Sequence, residues 1–202
     1  MKIICIGRNY ADHARELKND IPAEPVIFMK PDSALITGNR PFYLPEFSTD
    51  MHYETELVVR IHKLGRHIEE RFAHKYYADI TVGIDFTARD VQQRLKSQGL
   101  PWELAKAFDG SAVLGEWVPL AGRDIQDLHF HLDKNGKTVQ QGHTADMLFN
   151  VNQIISFVSR YFTLKIGDLI YTGTPAGVGK VDIGDPLNGF LGDKELFRCE
   201  VK

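Results

Sequence analysis

Three acidic residues in two segments of the chain have the types and spacing of a metal site. Glu54 and Glu56 belong to a stretch, Glu54–Ile61, whose alternating pattern predicts a β-strand. Because residues i and i+2 of a strand point to the same face, the two carboxylates are expected to lie side by side. Asp85 lies in the apolar segment Ile80–Phe86, a predicted buried strand, where an ionised carboxylate needs a partner or a metal ion. Oxygen donors of this kind favour Mg²⁺ or Mn²⁺ over Zn²⁺.

The same residues also have a simpler interpretation. Two glutamates separated by one residue on a strand are commonly part of a solvent-exposed face. Asp85 also has a potential ion-pair partner in Arg89, four residues later. Spacing alone therefore leaves both interpretations open.

A histidine and a glutamate near the N-terminus could form a proton-transfer pair. A helix is predicted over Tyr10–Lys18, preceded by Asn9 as its capping residue, with Asp12 three residues later as in a loose capping box. On that helix His13 and Glu16 are i, i+3 neighbours. A carboxylate beside an imidazole fixes its tautomer and raises its basicity, as a general base requires. An ordinary surface pair is the alternative.

The composition limits the classes of protein to be considered. The chain has 202 residues, 43% hydrophobic and 25% charged, which fits a single globular domain over residues 1–202. Its formal net charge is −3, and no block of Lys and Arg indicates a nucleic-acid partner. No apolar run reaches the length of a secretory signal or a membrane span. Cys5 and Cys199 lack paired spacing. We expect a cytoplasmic protein with free thiols and no membrane partner.

The predicted elements are mostly strands. Helices are predicted over Ala88–Ser97 and over Val151–Tyr161, the latter capped by Asn150. Asn135-Gly136 separates two strand-like segments and predicts a two-residue hairpin turn. Many strands and few short helices indicate a β-rich α+β fold. The remaining predicted strands are Lys2–Ile6, Val26–Met29, Leu128–Asp133, Thr138–Gln141, Asp168–Thr172 and Leu196–Val201.

Three other features receive structural interpretations. His129 and His131 are two residues apart on a predicted strand, a spacing that also occurs in zinc sites, and we interpret them as a solvent-exposed face. Trp102 is assigned to the core or an interface. The glycine-rich segment 173–179 lacks the Lys-Ser/Thr of a nucleotide-binding loop.

Six short blocks, taken together, resemble the fumarylacetoacetate hydrolase family. They run in family order from the first residues towards the last predicted strand. The blocks are Gly7-Arg8-Asn9-Tyr10-Ala11-Asp12-His13 followed by Glu16, Phe28-Met29-Lys30-Pro31, His52-Tyr53-Glu54-Thr55-Glu56-Leu57, Asp85-Phe86-Thr87-Ala88-Arg89-Asp90-Val91-Gln92, Leu104-Ala105-Lys106-Ala107-Phe108-Asp109 and Thr172-Gly173-Thr174-Pro175-Ala176-Gly177-Val178-Gly179.

The resemblance implies a β-rich roll of mixed sheets, a homodimer and a set of site residues. It implies that Glu54, Glu56 and Asp85 bind Mg²⁺ or Mn²⁺, and that His13 and Glu16 orient and activate water. It further implies that Lys106 lies near the reacting oxygen. The implied substrate contacts are Arg8, Lys30, Gln92 and Thr174.

The chain is most similar to the small acylpyruvases and oxaloacetate decarboxylases of that family. We therefore expect hydrolysis of a C–C bond in acylpyruvate-type 2,4-dioxo acids, such as fumarylpyruvate or acetylpyruvate, with decarboxylation of oxaloacetate as a further reaction. One alternative is an isomerase or decarboxylase acting on 2-hydroxyhepta-2,4-diene-1,7-dioate. An alternative of another class is a non-catalytic protein that binds a metal or a small ligand.

Overall fold

A computed structural model describes residues 1–17 and 20–202, which form three β-sheets and a few short helices. The helices are α1 (Ala11–Glu16), α2 (Glu70–Ala73), α3 (Arg89–Ser97), α4 (Glu103–Lys106) and α5 (Val151–Tyr161), with 3₁₀ turns at Asp32–Ala34 and Thr144–Asp146. The strands are β1 (Ile3–Gly7), β2 (Val26–Lys30), β3 (Leu35–Ile36), β4 (Met51–Tyr53), β5 (Thr55–Ile61), β6 (Tyr77–Asp85), β7 (Thr87–Ala88), β8 (Ala112–Leu114), β9 (Val118–Pro119), β10 (His129–Lys134), β11 (Lys137–His143), β12 (Leu169–Tyr171), β13 (Gly179–Lys180), β14 (Pro186–Leu191) and β15 (Lys194–Glu200).

The largest sheet is mixed and has the strand order β2-β1-β12-β5-β6-β8-β3, with β9 pairing to β6. Its β1–β12 and β3–β8 pairs are parallel, and the other pairs are antiparallel. The alternation along β5 left open whether the face that carries Glu56 is exposed to solvent. In the structure both faces are buried, because Leu57 and Val59 pack in one apolar cluster and Val58 packs in another. Polar side chains on β5 are therefore enclosed by protein.

An antiparallel sheet of order β11-β10-β14-β15 packs against the large sheet, and a small sheet pairs β13, β4 and β7. The core contains apolar side chains from both larger sheets, among them Leu57 and Val82 on one side and Leu132 and Leu187 on the other. Helix α5 adds its buried apolar face to the same core. This arrangement confirms the predicted β-rich α+β fold.

Two local predictions are confirmed in detail. Asn135 and Gly136 both adopt positive φ, 54° and 70°, in the tight turn between β10 and β11. Helix α5 has the predicted bounds, and its cap Asn150 accepts from the Gln153 N–H while the Gln153 side chain accepts from the Asn150 N–H.

The predicted cap of the first helix is wrong. Helix α1 begins at Ala11 with Tyr10 at the N-cap position and no side-chain cap. The Asn9 side chain donates instead to the carbonyls of Phe149 and Thr172 and accepts from the Phe149 N–H. The predicted C-terminal end of this helix, Lys18, lies outside the described residues. None of the described helices is long and apolar enough to cross a bilayer.

A buried carboxylate joins the two parallel strands that lead into the candidate site. Asp168, immediately before β12, accepts hydrogen bonds from the backbone N–H of Lys2 at 2.8 Å and of Lys165 at 2.7 Å. It also pairs with the Lys2 ammonium. Burial alone would raise the pKa of Asp168, but the contacts with Lys2 and Lys165 lower it below its ordinary value.

We predict that Asp168→Asn lowers the free energy of unfolding by about 1–3 kcal/mol near neutral pH, because an amide loses the ion pair and one acceptor. Since the folded pKa of Asp168 lies below the unfolded value, its contribution is complete above the unfolded pKa and is lost as pH falls through the folded pKa. The deficit of the variant should therefore shrink as pH falls below about 4. Urea unfolding from pH 7 to pH 3 measures this.

The control is Asp79→Asn, which breaks the half-exposed pair with Arg60 on neighbouring strands. Such pairs contribute about 0–1 kcal/mol. Equal losses in both variants, or a deficit for Asp168→Asn that does not change with pH, would contradict the role given to Asp168.

Candidate active site

The three predicted metal ligands meet where β5 and β6 pair. Glu56 lies on β5, Glu54 immediately precedes that strand, and Asp85 is the last residue of β6. The Asp85 N–H donates to the Glu54 carbonyl at 2.8 Å, which sets the two residues opposite each other. One carboxylate oxygen from each of the three residues lies within 4.8 Å of the others, and all three side chains are buried. Asp85 follows Glu56 by 29 residues in the sequence, so the pairing of β5 with β6 brings two distant segments together.

Three cationic side chains neutralise these carboxylates. Lys106 Nζ, on α4, lies 2.7 Å from both Glu54 Oε2 and Asp85 Oδ2. Lys30 Nζ, at the end of β2, lies 2.7 Å from Asp85 Oδ1. An Arg89 NH2 group donates to Glu54 Oε1 at 2.6 Å. The proposed alternative of an Asp85–Arg89 pair does not form, because Arg89 pairs with Glu54.

Glu56 has a different environment from Glu54. Its carboxylate accepts from the backbone N–H of Gly173 at 2.7 Å, and no described side-chain cation pairs with it. Burial and the neighbouring Asp85 and Glu54 raise the pKa of Glu56 well above its ordinary value. Burial would also raise the pKa of Glu54, but the charges of Lys106, Arg89 and His13 lower it.

This environment fits a divalent cation. The donors are carboxylate oxygens, the ligands that Mg²⁺ and Mn²⁺ prefer. The Glu56 carboxylate faces two others without a cation of its own, and Asp85 Oδ1 makes an ion pair but no hydrogen bond. The lysines and the arginine pair with Glu54 and Asp85 but not with Glu56. A cation held by Glu54, Glu56 and Asp85 would neutralise the buried Glu56 carboxylate.

Gly173 is required for the Glu56 contact. Its φ is +101°, a conformation that residues with a side chain rarely adopt. A Cβ atom there would also lie 2.6 Å from the Asn9 Cβ. The glycine thus lets the segment after β12 approach β1 and α1 and direct an N–H at the carboxylate.

His13 and Glu16 form the predicted pair on α1. His13 Nδ1 lies 3.2 Å from Glu16 Oε2, and the imidazole is only 6% exposed. Glu16 also accepts from the Gly177 N–H at 3.1 Å, which fixes the carboxylate against the loop after β12. With Nδ1 held by Glu16, Nε2 is the nitrogen left to exchange a proton with a bound molecule.

The cavity beside the carboxylates is also lined by positively charged groups. Arg8, Arg89 and Lys96 lie in its wall together with His13 and Lys106. Burial and the charges of Arg8 and Arg89 lower the pKa of Lys96, which indicates crowding of like charges. Such a cavity attracts an anion, and a carboxylate ligand would relieve the repulsion.

The predicted substrate contacts divide into two groups. Arg8, Gln92 and Thr174 line the cavity, and Gln92 accepts from Arg89 at 2.8 Å. Lys30 does not line it, because its buried ammonium lies behind Asp85 and donates to the Ser111 hydroxyl and to backbone carbonyls. Trp102, assigned to the core or an interface from the sequence, lines the cavity beside Phe28, at a ring distance of 5.9 Å.

Gln140 was missed by the sequence analysis. It lies on β11 of the second sheet and is buried. Its side chain accepts from the Thr55 N–H at 2.9 Å and donates to the Thr174 hydroxyl at 2.6 Å and to the Pro175 carbonyl at 2.7 Å. It thus joins the strand that carries Glu56 to the loop that holds Glu16. Arg89 was considered only as a partner for Asp85, and its pairing with Glu54 in the cavity wall was the second omission.

Comparisons with known proteins agree over nearly the whole chain. The model of the fumarylacetoacetate (FAA) hydrolase C-terminal family matches residues 2–202. The mitochondrial oxaloacetate tautomerase of Mus musculus is 41% identical over 201 residues, which cover 99% of this chain and 91% of that protein. An oxaloacetate tautomerase of Escherichia coli is 43% identical over 188 residues, covering 92% and 86%.

A similar solved structure is that of fumarylpyruvate hydrolase from Pseudomonas aeruginosa in complex with Mn²⁺ and pyruvate. It is 36% identical, has a TM-score of 0.93, and the match covers 100% of this chain and 89% of that one. The relatives therefore include proteins named for two different reactions of 2-oxo acids.

We predict that Glu56→Gln has opposite effects with and without metal. In EDTA at pH 8 it should raise the free energy of unfolding by about 1 kcal/mol, because it removes one of three adjacent buried carboxylates. The increase in melting temperature caused by Mn²⁺ should be lost, because a ligand that binds only the folded state stabilises it. Thermal and urea unfolding measure both effects.

Glu116→Gln is the matched control, because Glu116 is exposed and lies outside the cluster. Glu116→Gln should leave unchanged both the free energy of unfolding in EDTA and the increase in melting temperature caused by Mn²⁺. If Glu56→Gln kept the full Mn²⁺-induced shift, the ion would have to bind elsewhere.

Proposed function

The chain belongs to the fumarylacetoacetate hydrolase family, and we propose that it is a Mg²⁺- or Mn²⁺-dependent enzyme that interconverts the keto and enol forms of oxaloacetate. The observation that carries the proposal is the His13–Glu16 pair facing the same cavity as the three carboxylates. The names of the relatives with 41% and 43% identity support this reaction over the hydrolysis expected from the sequence.

Charge complementarity supports a dianionic substrate. The cationic groups of Lys30, Lys106 and Arg89 balance the three carboxylates, so a divalent cation bound there would give this cluster a net positive charge of two. Oxaloacetate carries two carboxylates and matches that charge. Arg8, which also lies in the cavity wall, is positioned to contact one of these carboxylates.

Each group in the cavity has a separate role in the proposed tautomerisation. When bound, the cation supplies a Lewis acid that polarises the 2-oxo group. His13 Nε2 takes a proton from C3, the C–H electron pair becomes the C2–C3 double bond, and negative charge develops on the 2-oxo oxygen. Return of the proton to that oxygen gives the enol, and the reverse sequence gives the ketone. Glu16 stabilises the imidazolium between the two transfers.

Lys106 acts as a fixed positive charge in this scheme. Burial would lower its pKa, but the carboxylates of Asp85 and Glu54 raise it above the ordinary value. The ammonium therefore keeps its proton and stabilises negative charge that develops nearby.

A second candidate reaction is hydrolysis of an acylpyruvate, which the similarity to fumarylpyruvate hydrolase favours. In that case His13 would deprotonate a water that attacks the distal carbonyl. The C–C bond would then break to release a carboxylic acid and the enolate of pyruvate, which takes up a proton. Both reactions use the same residues and generate an enolate of a 2-oxo acid.

The cytoplasmic location and the homodimer remain predictions.

The deciding experiment uses metal-stripped protein with Mg²⁺ or Mn²⁺ added back. We expect metal-dependent acceleration of the decay of enol-oxaloacetate, followed by its ultraviolet absorbance, over the spontaneous rate in the same buffer. Acetylpyruvate and fumarylpyruvate are assayed in parallel for cleavage. Cleavage of an acylpyruvate without tautomerisation would assign the hydrolase reaction, and no metal-dependent turnover of any of the three would overturn both.

We predict that His13→Ala lowers kcat/KM by about 10²–10⁴-fold, the usual contribution of a general base. Glu16→Gln should have a smaller effect, because the imidazole remains but loses its charged partner. Neither change should alter the Mn²⁺-induced increase in melting temperature, because neither residue is a proposed ligand. His62→Ala, at an exposed histidine next to β5, is the control that should keep full activity. A fully active His13→Ala would exclude the proposed proton transfer.

A further inference from the structure

Two histidines and an aspartate form a second cluster of metal-ligand types on the outer sheet. His129 on β10 and His143 on β11 are directly opposite in the antiparallel register. Their rings stack with centroids 4.0 Å apart and an interplanar angle of 15°. His143 Nε2 lies 2.8 Å from Asp127 Oδ1. One possible ligand atom from each of the three residues lies within 4.8 Å of the others.

The sequence pattern pointed to a different pair. His129 and His131 were considered as a possible zinc spacing and interpreted as a solvent-exposed face. In the structure His131 stacks on Phe190 at 4.5 Å and lies 3.9 Å from Asp133, so it is engaged elsewhere. The partner of His129 is 14 residues away in sequence and is brought opposite by the hairpin.

One side-chain rotation separates this cluster from a metal site. The lone pair of an imidazole nitrogen lies in the plane of its ring, so the exposed His129 ring must turn out of its stack on His143 before both rings can bind the same ion. The ligand atoms of a four-coordinate zinc ion lie about 3.3 Å apart, since each is about 2.0–2.1 Å from the ion. Asp127 Oδ1 and His143 Nε2 are 2.8 Å apart in a hydrogen bond, which a bound ion would replace by a slightly wider pair of ligand atoms, and the Asp127 side chain is 73% exposed and has room to move. Neither ring nitrogen of His129 makes a hydrogen bond or ion pair within the described residues, so a lone pair of the neutral ring is available to a metal.

The backbone around the cluster is held in place. The Thr144 N–H donates to the Leu128 carbonyl at 3.0 Å, and the Leu128 N–H donates to the Thr144 hydroxyl at 2.9 Å. The His129 carbonyl accepts from the Gly192 N–H at 2.8 Å. Because these bonds flank both imidazoles, little backbone entropy remains to be lost when a metal binds.

We propose that Asp127, His129 and His143 bind Zn²⁺ or another late first-row divalent cation such as Cu²⁺ or Ni²⁺. Imidazole nitrogens select these ions, whereas Mg²⁺ and Mn²⁺ prefer the buried carboxylates. The site has three protein ligands and leaves the remaining positions to water. Its existence does not depend on the proposed tautomerase activity.

Binding at this site would reinforce the connection between the outer sheet and the candidate active site. Residue 143 ends β11, and the chain continues through the 3₁₀ turn to Met147, which bridges to the Tyr10 backbone before α1. A metal linking the turn at Asp127 to the ends of both strands therefore stabilises the segment on which α1 rests. The expected consequence is an increase in melting temperature on addition of Zn²⁺.

The test is a Zn²⁺ titration of untagged, full-length protein whose carboxylate site is saturated with Mn²⁺, using competition with a chromophoric chelator. We expect one Zn²⁺ per chain and an affinity that falls at least tenfold in both His143→Ala and His129→Ala. His131→Ala is the matched control, since it removes a histidine from the same strand, and its affinity should equal that of the wild type.

A second variant separates this site from the interior one. Glu56→Gln should retain the Zn²⁺ equivalent while losing the Mn²⁺-induced increase in melting temperature. Loss of Zn²⁺ binding in Glu56→Gln would place the ion at the carboxylates and overturn the proposal. Unchanged affinity in His143→Ala and His129→Ala, or no Zn²⁺ binding by the wild type, would overturn it as well.

Discussion

The burial of three adjacent carboxylates at the β5–β6 pair is the constraint on which the rest of the site depends. Glu54, Glu56 and Asp85 are removed from water, and their repulsion must be offset by charge from elsewhere in the chain. Lys30 arrives from β2, Lys106 from α4 and Arg89 from α3, so three separate elements are drawn to one point. Each of these cations forms an ion pair with a carboxylate of the cluster. The same ion pairs therefore offset the repulsion between the carboxylates and fix the positions of β2, α3 and α4.

The proton-transfer pair is positioned by a different set of contacts. Asn9 attaches the end of β1 to the segments around Phe149 and Thr172, and Glu16 attaches α1 to the loop after β12. Gln140 reaches from the outer sheet and joins that loop to β5. His13 is thereby held beside the carboxylate cluster although it lies on a helix of only six residues, too short to be stable alone. Stability for such a helix comes from tertiary contacts.

Residues 1–17 and 20–202 contain two potential metal environments of opposite character. The interior one consists of carboxylate oxygens surrounded by lysine and arginine side chains, and suits a hard cation that works with a dianionic substrate. The exterior one combines two stacked imidazoles with a carboxylate on a hairpin, and suits a borderline cation. The two sites are expected to bind different ions because one offers carboxylate oxygens and the other offers imidazole nitrogens.

The sequence by itself determined the features that depend on neighbouring residues: the close spacing of Glu54 and Glu56, the i, i+3 spacing of His13 and Glu16, the Asn135-Gly136 turn and the Asn150 cap of α5. The family blocks added the candidate ligands and the β-rich fold. Tertiary structure alone decided that the Asn9 side chain bonds to the segments at Phe149 and Thr172 and does not cap α1. It also decided that Lys30 lies behind Asp85 and that His129 faces His143. These contacts join residues far apart in the chain. They depend on strand order and register, which local periodicity does not encode.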